Sequence, residues 1–197
     1  MSDDGPDPLG TRPATPEEWR AYLYAYGDTY IRTANEYQVI TAEQEETRWM
    51  GGEPATEAAL AAAEDRLGTR LPPSLRAFLR ASDGWSGVGG WIEEIHPCAR
   101  LEWMRDEGNG AFLIELYRGE DDDDDEGAEE YVALFMRALV VAAGEDYWLL
   151  DPARVGPDGE WRAYLFKPKY GDSQEFADFT ALVHDSHRTM VHLGGGA

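Results

Sequence analysis

Apolar positions set the first outline of the chain. Trp19, Tyr22, Leu23 and Tyr26 recur at three- and four-residue intervals, the spacing of one helix face. Thr15-Pro16-Glu17-Glu18 just upstream is a capping box with proline at the first helical position, and Gly27 is placed to interrupt the helix. Residues 28–50 carry Tyr30, Ile31, Tyr37, Val39, Ile40, Trp49 and Met50 more sparsely and read as further helix poor in aliphatics. Residues 15–50 therefore predict a helical extension that packs on the main domain through its aromatics. Gly51-Gly52-Glu53-Pro54 is a turn or linker, and residues 51–190 form the domain itself.

The domain opens on two short helices joined by a Pro-Pro corner. Thr56 caps the first, Leu60, Ala63 and Leu67 form its small apolar stripe, and Gly68 suits a left-handed helix end. Leu71 precedes Pro72 and is biased toward extended backbone, while Pro73 fits the first turn of the second helix. Leu75, Phe78 and Leu79 give that helix its buried face, Asp83-Gly84 ends it, and Leu60, Leu67, Leu71, Leu75, Phe78 and Leu79 should be buried together.

Downstream, Ser86-Gly87-Val88-Gly89-Gly90 predicts a flexible loop. Strands are expected at 91–95, 111–117, 131–143, 147–150 and 162–166, although the run from Tyr131 fits a partly helical segment equally well. Asp172-Ser173-Gln174-Glu175 offers a second capping box, opening a closing helix marked by Phe176, Phe179, Val183 and Met190. Residues 1–14 predict a disordered tail, and residues 191–197, with Gly194-Gly195-Gly196, a flexible C-terminus.

These pieces occur in a familiar order. Glu64, Leu67-Gly68, Leu71-Pro72, Phe78-Leu79 and Asp83-Gly84 are followed by Leu101-Glu102-Trp103. Then come Tyr147-Trp148-Leu149-Leu150-Asp151-Pro152, Gly159-Glu160-Trp161 and Phe176-Ala177-Asp178-Phe179. Together they resemble the SMI1/KNR4 family, also called the SUKH superfamily, over roughly residues 49 to 190. The resemblance implies an α+β fold: a curved, mostly antiparallel sheet flanked by helices, here with the N-terminal helical extension. It also implies a non-enzymatic binding protein. Bacterial proteins similar to this one are largely immunity proteins of polymorphic toxin systems, which bind and block a cognate toxin, often a nuclease. Fungal relatives look like regulators of cell-wall synthesis and signalling. The abundance of Ala, Gly, Asp and Arg points to a GC-rich bacterial source and to the immunity type.

Charge sharpens the expected partner. The chain has 39 acidic against 17 basic residues, a formal net charge of -22. Such a protein repels nucleic acid and anionic membrane and attracts a basic protein, here a toxin domain. Glu120-Asp121-Asp122-Asp123-Asp124-Asp125-Glu126 is the densest acidic run, and it reads as a solvated loop that steers that partner. Residues near the glycine loop, namely Asp83, Trp85, Trp91, Glu93 and Glu94, are the expected contact surface together with Asp121, Asp122, Asp123, Asp124 and Asp125. Trp85 and Trp91 are the candidate anchors, since tryptophan favours interface centres.

Candidate catalytic and cofactor signals fail on inspection. The acidic run lacks the glycine and spacing of an EF-hand. His184 and His187, three apart, have no third ligand in a zinc pattern, and the histidines are expected at the surface. Gly84-Trp85-Ser86-Gly87-Val88 misses the nucleophile elbow at its fifth position, and Gly87 to Ile92 misses a dinucleotide loop at its last. Cys98 is the single cysteine, which rules out an intramolecular disulfide and fits a reducing compartment. His96-Pro97-Cys98 is too close in sequence for a nucleophile pair. No metal and no cofactor are expected. Residues 1–15 show no signal-peptide pattern, and no apolar run reaches the ~18 residues of a membrane span. A cytoplasmic location is expected.

Overall fold

The computed structural model describes residues 9–36, 38–119 and 126–194. Helix α1 (Pro16–Thr33) starts at the expected capping box: Thr15 Oγ1 accepts from Glu18 N, and the Glu18 side chain reaches back to the cap. Gly27 does not interrupt it. A Cβ at Gly27 would strike the Arg48 carbonyl, so the glycine lets the following chain lie against the helix. After α1, among the described residues only α2 (Ala42–Thr47) is helical before residue 51, so residues 28–50 are less regular than their pattern predicts.

Helices α3 (Glu57–Leu67) and α4 (Pro73–Ala81) follow as expected. Thr56 caps α3 through Ala59 N, Gly68 takes φ 71°, and Pro73 opens α4. Leu60, Leu67, Leu71, Leu75, Phe78 and Leu79 are all buried in one cluster. Arg66 fastens this hairpin to the next segment, donating to the carbonyls of Leu101 (2.6 Å) and Cys98 (2.8 Å).

The sheet is antiparallel throughout. Strands β1 (Ile92–Ile95) and β2 (Glu102–Trp103) both pair with β3 (Leu139–Gly144), on one side of it. The order then runs through β4 (Tyr147–Val155) and β5 (Trp161–Lys167) to β6 (Asp172–Phe176). Both faces are covered. Val141, Trp148, Leu150 and Ala163 point toward α1, α3, α4 and α7 (Phe179–Gly194), while Val140, Tyr147, Leu149, Tyr164 and Phe166 point toward α5 (Gly108–Arg118) and α6 (Glu126–Phe135). Bulges interrupt the β1/β3, β3/β4 and β4/β5 registers, the device that bends and twists a strand. The fold is thus α+β, with an open antiparallel sheet between two helical layers.

Several expectations are corrected. Residues 111–117 are helix, not strand. Glu107 caps α5 through Gly110 N (2.6 Å), and Gly110, Leu113 and Ile114 form a helical face whose glycine sits directly against the Met104 carbonyl. The run from Tyr131 divides, ending α6 before β3 begins. Asp172–Glu175 is strand β6 rather than a helix cap, paired along β5 from Lys167↔Asp172 to Ala163↔Phe176. Asp178 performs the capping instead, accepting from Ala181 N (2.7 Å). Residues 191–194 belong to α7 and are not a loose tail.

Helix α1 belongs to the core. Trp19 is fully buried, edge-on to Phe78 (centroids 5.4 Å apart, planes at 84°) and 5.8 Å from Phe179. It therefore joins α4 to α7 and helps fix the helix that forms one wall of the site below.

Candidate functional site

The glycine loop is held from three sides. Trp85 and Ile95 exchange backbone hydrogen bonds (Trp85 N to Ile95 O, 3.0 Å; Ile95 N to Trp85 O, 2.8 Å). Tyr26 Oη donates to Val88 O (2.6 Å), and Ser186 Oγ on α7 donates to the same carbonyl (3.1 Å). Gly89 has φ +81°, and a Cβ there would run into the Met190 thioether. Two features that favour glycine, positive φ and close approach, thus press the loop onto α7.

The next residue but one, Trp91, emerges into solvent with 61% of its surface exposed. Its carbonyl accepts from Asp146 N (3.2 Å), which joins the loop to the β3–β4 hairpin tip. Between loop, hairpin and helix lies a mainly apolar groove of about 200 Å³. Its walls include Trp91, Trp148, Leu165, Phe176, Met190 and Leu193, with the charged side chains of Asp146, Lys167 and Asp185.

Asp146 is the unusual group in that lining. It is only 7% exposed. Burial pushes its carboxyl above the ordinary range; Glu145 adds to the rise and Lys167 opposes it. Among the described residues no hydrogen bond or ion pair holds its side chain, whereas Asp185 is paired with Arg188. Arginine side chains on other walls are likewise matched: Arg137 forks onto fully buried Asp151 (2.7 and 2.8 Å), and Arg154 meets Glu175 and Tyr164 (2.6 Å each). These last pairs line a larger, more polar depression of about 550 Å³ beside α6, whose two arginines are thereby already matched within the chain.

A family model described as the SMI1 / KNR4 family (SUKH-1) matches residues 54–186. The chain belongs to that family. Comparison with curated proteins gives no significant match. The matched span leaves out α1, although this SMI1/KNR4 protein buries Trp19 at the centre of its core.

The residues expected to meet a partner divide. Trp91 and Glu93 are exposed. Glu94 is half-buried and paired with Arg100. Asp83 has a structural task, since its Oδ1 accepts from Cys98 N (2.7 Å). Trp85 is 2% exposed, wedged edge-on against Trp49 (5.0 Å, 90°) and Tyr26 (6.4 Å, 88°). Its ring is a core element that supports the glycine loop and cannot meet a partner directly. Asp121, Asp122, Asp123, Asp124 and Asp125 lie outside the described residues.

Sequence reasoning missed Asp146 as well as the groove wall on α7. Glu145-Asp146 looks like an ordinary hairpin turn, and only the packing of Trp91 and α7 over it sets one carboxylate apart. Three of the four histidines also needed correction, while His192 is exposed as expected. His96, His184 and His187 are buried, the last two among Tyr22 and Tyr26 between α1 and α7, with His187 Nε2 2.9 Å from Thr29 Oγ1. Their neighbours on α1 are aromatic rings, which explains why an apparently polar face turns inward. Among the described residues no three of His, Cys, Asp and Glu gather as a metal site. Cys98 is buried, and its thiol is pushed up to about 12, first by burial and then by Asp83, so it stays protonated and a poor nucleophile. No helix among the described residues is long and apolar enough to cross a membrane.

Proposed function

We propose that this SMI1/KNR4 protein is an immunity protein of a bacterial toxin system, acting in the cytoplasm by binding and blocking a basic toxin domain without turning over a substrate. The observation that carries the reading is the charge of the chain, a net -22 in a protein of this family. Ten acidic residues and one basic residue lie between Glu115 and Glu130. A toxin that acts on nucleic acid needs a cationic cleft, and an acidic protein is suited to cover it. Complementary fields raise association to about 10⁸ M⁻¹s⁻¹ or more at low salt, against about 10⁵–10⁶ M⁻¹s⁻¹ without steering.

The test pairs the purified protein with the toxin domain encoded beside its gene. A 1:1 complex that abolishes toxicity is expected. Replacing Asp121–Asp125 with serine should slow association and flatten its salt dependence while leaving dissociation nearly unchanged. If no neighbouring gene product binds, and cells are not protected, the immunity reading is lost and a regulatory scaffold becomes the better account.

A further inference from the structure

We propose that the groove between the glycine loop and α7 is a slot for one long cationic side chain of the partner, arginine above all, with Asp146 as its counter-charge and Trp91 as its stacking surface. The proposal rests on the immunity reading for who presents that side chain, and on the groove alone for its chemistry.

The shape comes first. At about 200 Å³ the groove falls below the ~300–1,000 Å³ of ordinary small-molecule sites, a volume nearer that of a single side chain. Leu165, Phe176 and Met190 offer apolar surface to an aliphatic stem. An arginine stem buries well on such surface while its head seeks polar contact. The head would meet Asp146, a carboxylate 7% exposed that nothing in the described chain bonds. The residue is nearly buried, but its carboxylate oxygens still reach solvent through the groove, so in the free protein water alone serves them. Here the natural complement is a cation brought from outside.

Trp91 makes the choice narrower. A large indole with 61% of its surface in solvent, beside that carboxylate, favours a cation over its ring face. A guanidinium stacks on indole and forks onto a carboxylate at the same time, which an ammonium does less well. Lys167 shares the wall and acts on Asp146 through space, but it forms no ion pair with it. It is therefore a weak internal competitor that an incoming arginine must outdo.

The experiment uses the full chain labelled with ¹⁵N and two peptides, acetyl-Gly-Leu-Arg-Leu-Gly-amide and its neutral counterpart with citrulline in place of arginine. The arginine peptide should shift the Trp91 indole signal and the amides of residues 89–92 and 186–193. The citrulline peptide should bind at least about tenfold more weakly. Asp146→Asn should abolish that preference, and Lys167→Gln should tighten the arginine peptide. Val155→Ser, on the far end of β4, should change nothing. Thermal melts guard against misfolding: burial disfavours the charged form of Asp146, so the neutral amide of Asp146→Asn should leave the protein at least as stable as the parent. Equal binding of the two peptides, shifts that map elsewhere, or no shifts at millimolar peptide would each overturn the slot. The toxin domain separates this proposal from the one it rests on. If it binds wild type, Asp146→Asn and Trp91→Ala alike, the slot falls and immunity stands. If the arginine peptide fills the groove but no neighbouring toxin binds, the slot stands and immunity falls.

Discussion

Replacing Trp19 with alanine tests whether α1 is integral to the fold that carries the groove. The indole is fully buried among Tyr22, Phe78 and Phe179. A tryptophan hides roughly 150–250 Å² of surface, which at ~25 cal/mol per Å² corresponds to about 4–6 kcal/mol of burial. Alanine retains part of that, and large-to-small changes of this kind cost about 3–5 kcal/mol. Set against the ~5–15 kcal/mol that a domain has in total, most of the margin would disappear. The melting temperature should fall by roughly 6–20 °C, at about 2–4 °C per kcal/mol for this chain length. Trp19→Phe should behave differently. Among the described residues the indole N–H has no hydrogen-bond partner, so phenylalanine removes a buried orphan donor while losing some volume, and the net change should stay within about 1 kcal/mol. Urea unfolding followed by circular dichroism supplies both numbers and the slope. A loss below about 1 kcal/mol for the alanine variant, or a separate early transition for α1, would show that the helix is an appendage.

Two further outcomes follow from buried charges. Burial holds His96 below its ordinary value of 6.5, with Glu107 and the Arg100 backbone pulling the other way. The unfolded chain then takes up that proton more readily, so the contribution to stability is complete above about pH 6.5 and declines as pH falls through the folded value. Comparing His96→Asn with the parent between pH 7 and 5 should show a flatter acid limb; superimposable curves would refute the assignment. Arg137→Ala should cost roughly 1–3 kcal/mol, discounted because Arg137 is 37% exposed and buried Asp151 keeps the Ala153 N–H, whereas Arg137→Met with Asp151→Leu should recover much of the loss in chemical denaturation.

Local rules predicted the elements whose stabilising partners are close in sequence. The Thr15 and Thr56 caps, the left-handed Gly68 and the Pro72-Pro73 corner depend on neighbours within a few residues, and all were legible. Elements decided by distant packing were not. Ala111 to Tyr117 is rich in residues that suit strands, yet Gly110, Leu113, Ile114 and Tyr117 also lie at helical spacing, and the sheet face of Val140, Leu149 and Phe166 decides between the two. Asp172 to Glu175 satisfies a capping pattern, but β5 offered a complete edge to pair with. The same division holds at the site. Trp91 beside a glycine loop was visible as a candidate anchor. Its neighbour Trp85 looked equivalent, and only α1, supplying Tyr26, and the segment bearing Trp49 bury it.

The acidic sequence and the groove would act at different ranges, and that difference bears on specificity. A net charge of -22 is felt through solvent across roughly one Debye length, ~8 Å at physiological salt, and any basic surface satisfies it. On the proposed reading it would hasten encounter without choosing among basic partners. Asp146 is reached only by a group that enters the groove, so it can discriminate. Its carboxylate also disfavours the free protein, since burial raises its pKa and ionisation near neutral pH therefore works against folding. Such a group is tolerable where a bound cation compensates it. Salt should separate the two contributions: the steep part of the salt dependence would belong to the exposed acids, while affinity that persists at high salt would belong to the proposed contact at Trp91 and Asp146. A cognate complex whose high-salt affinity survives Asp146→Asn would place specificity elsewhere on the surface.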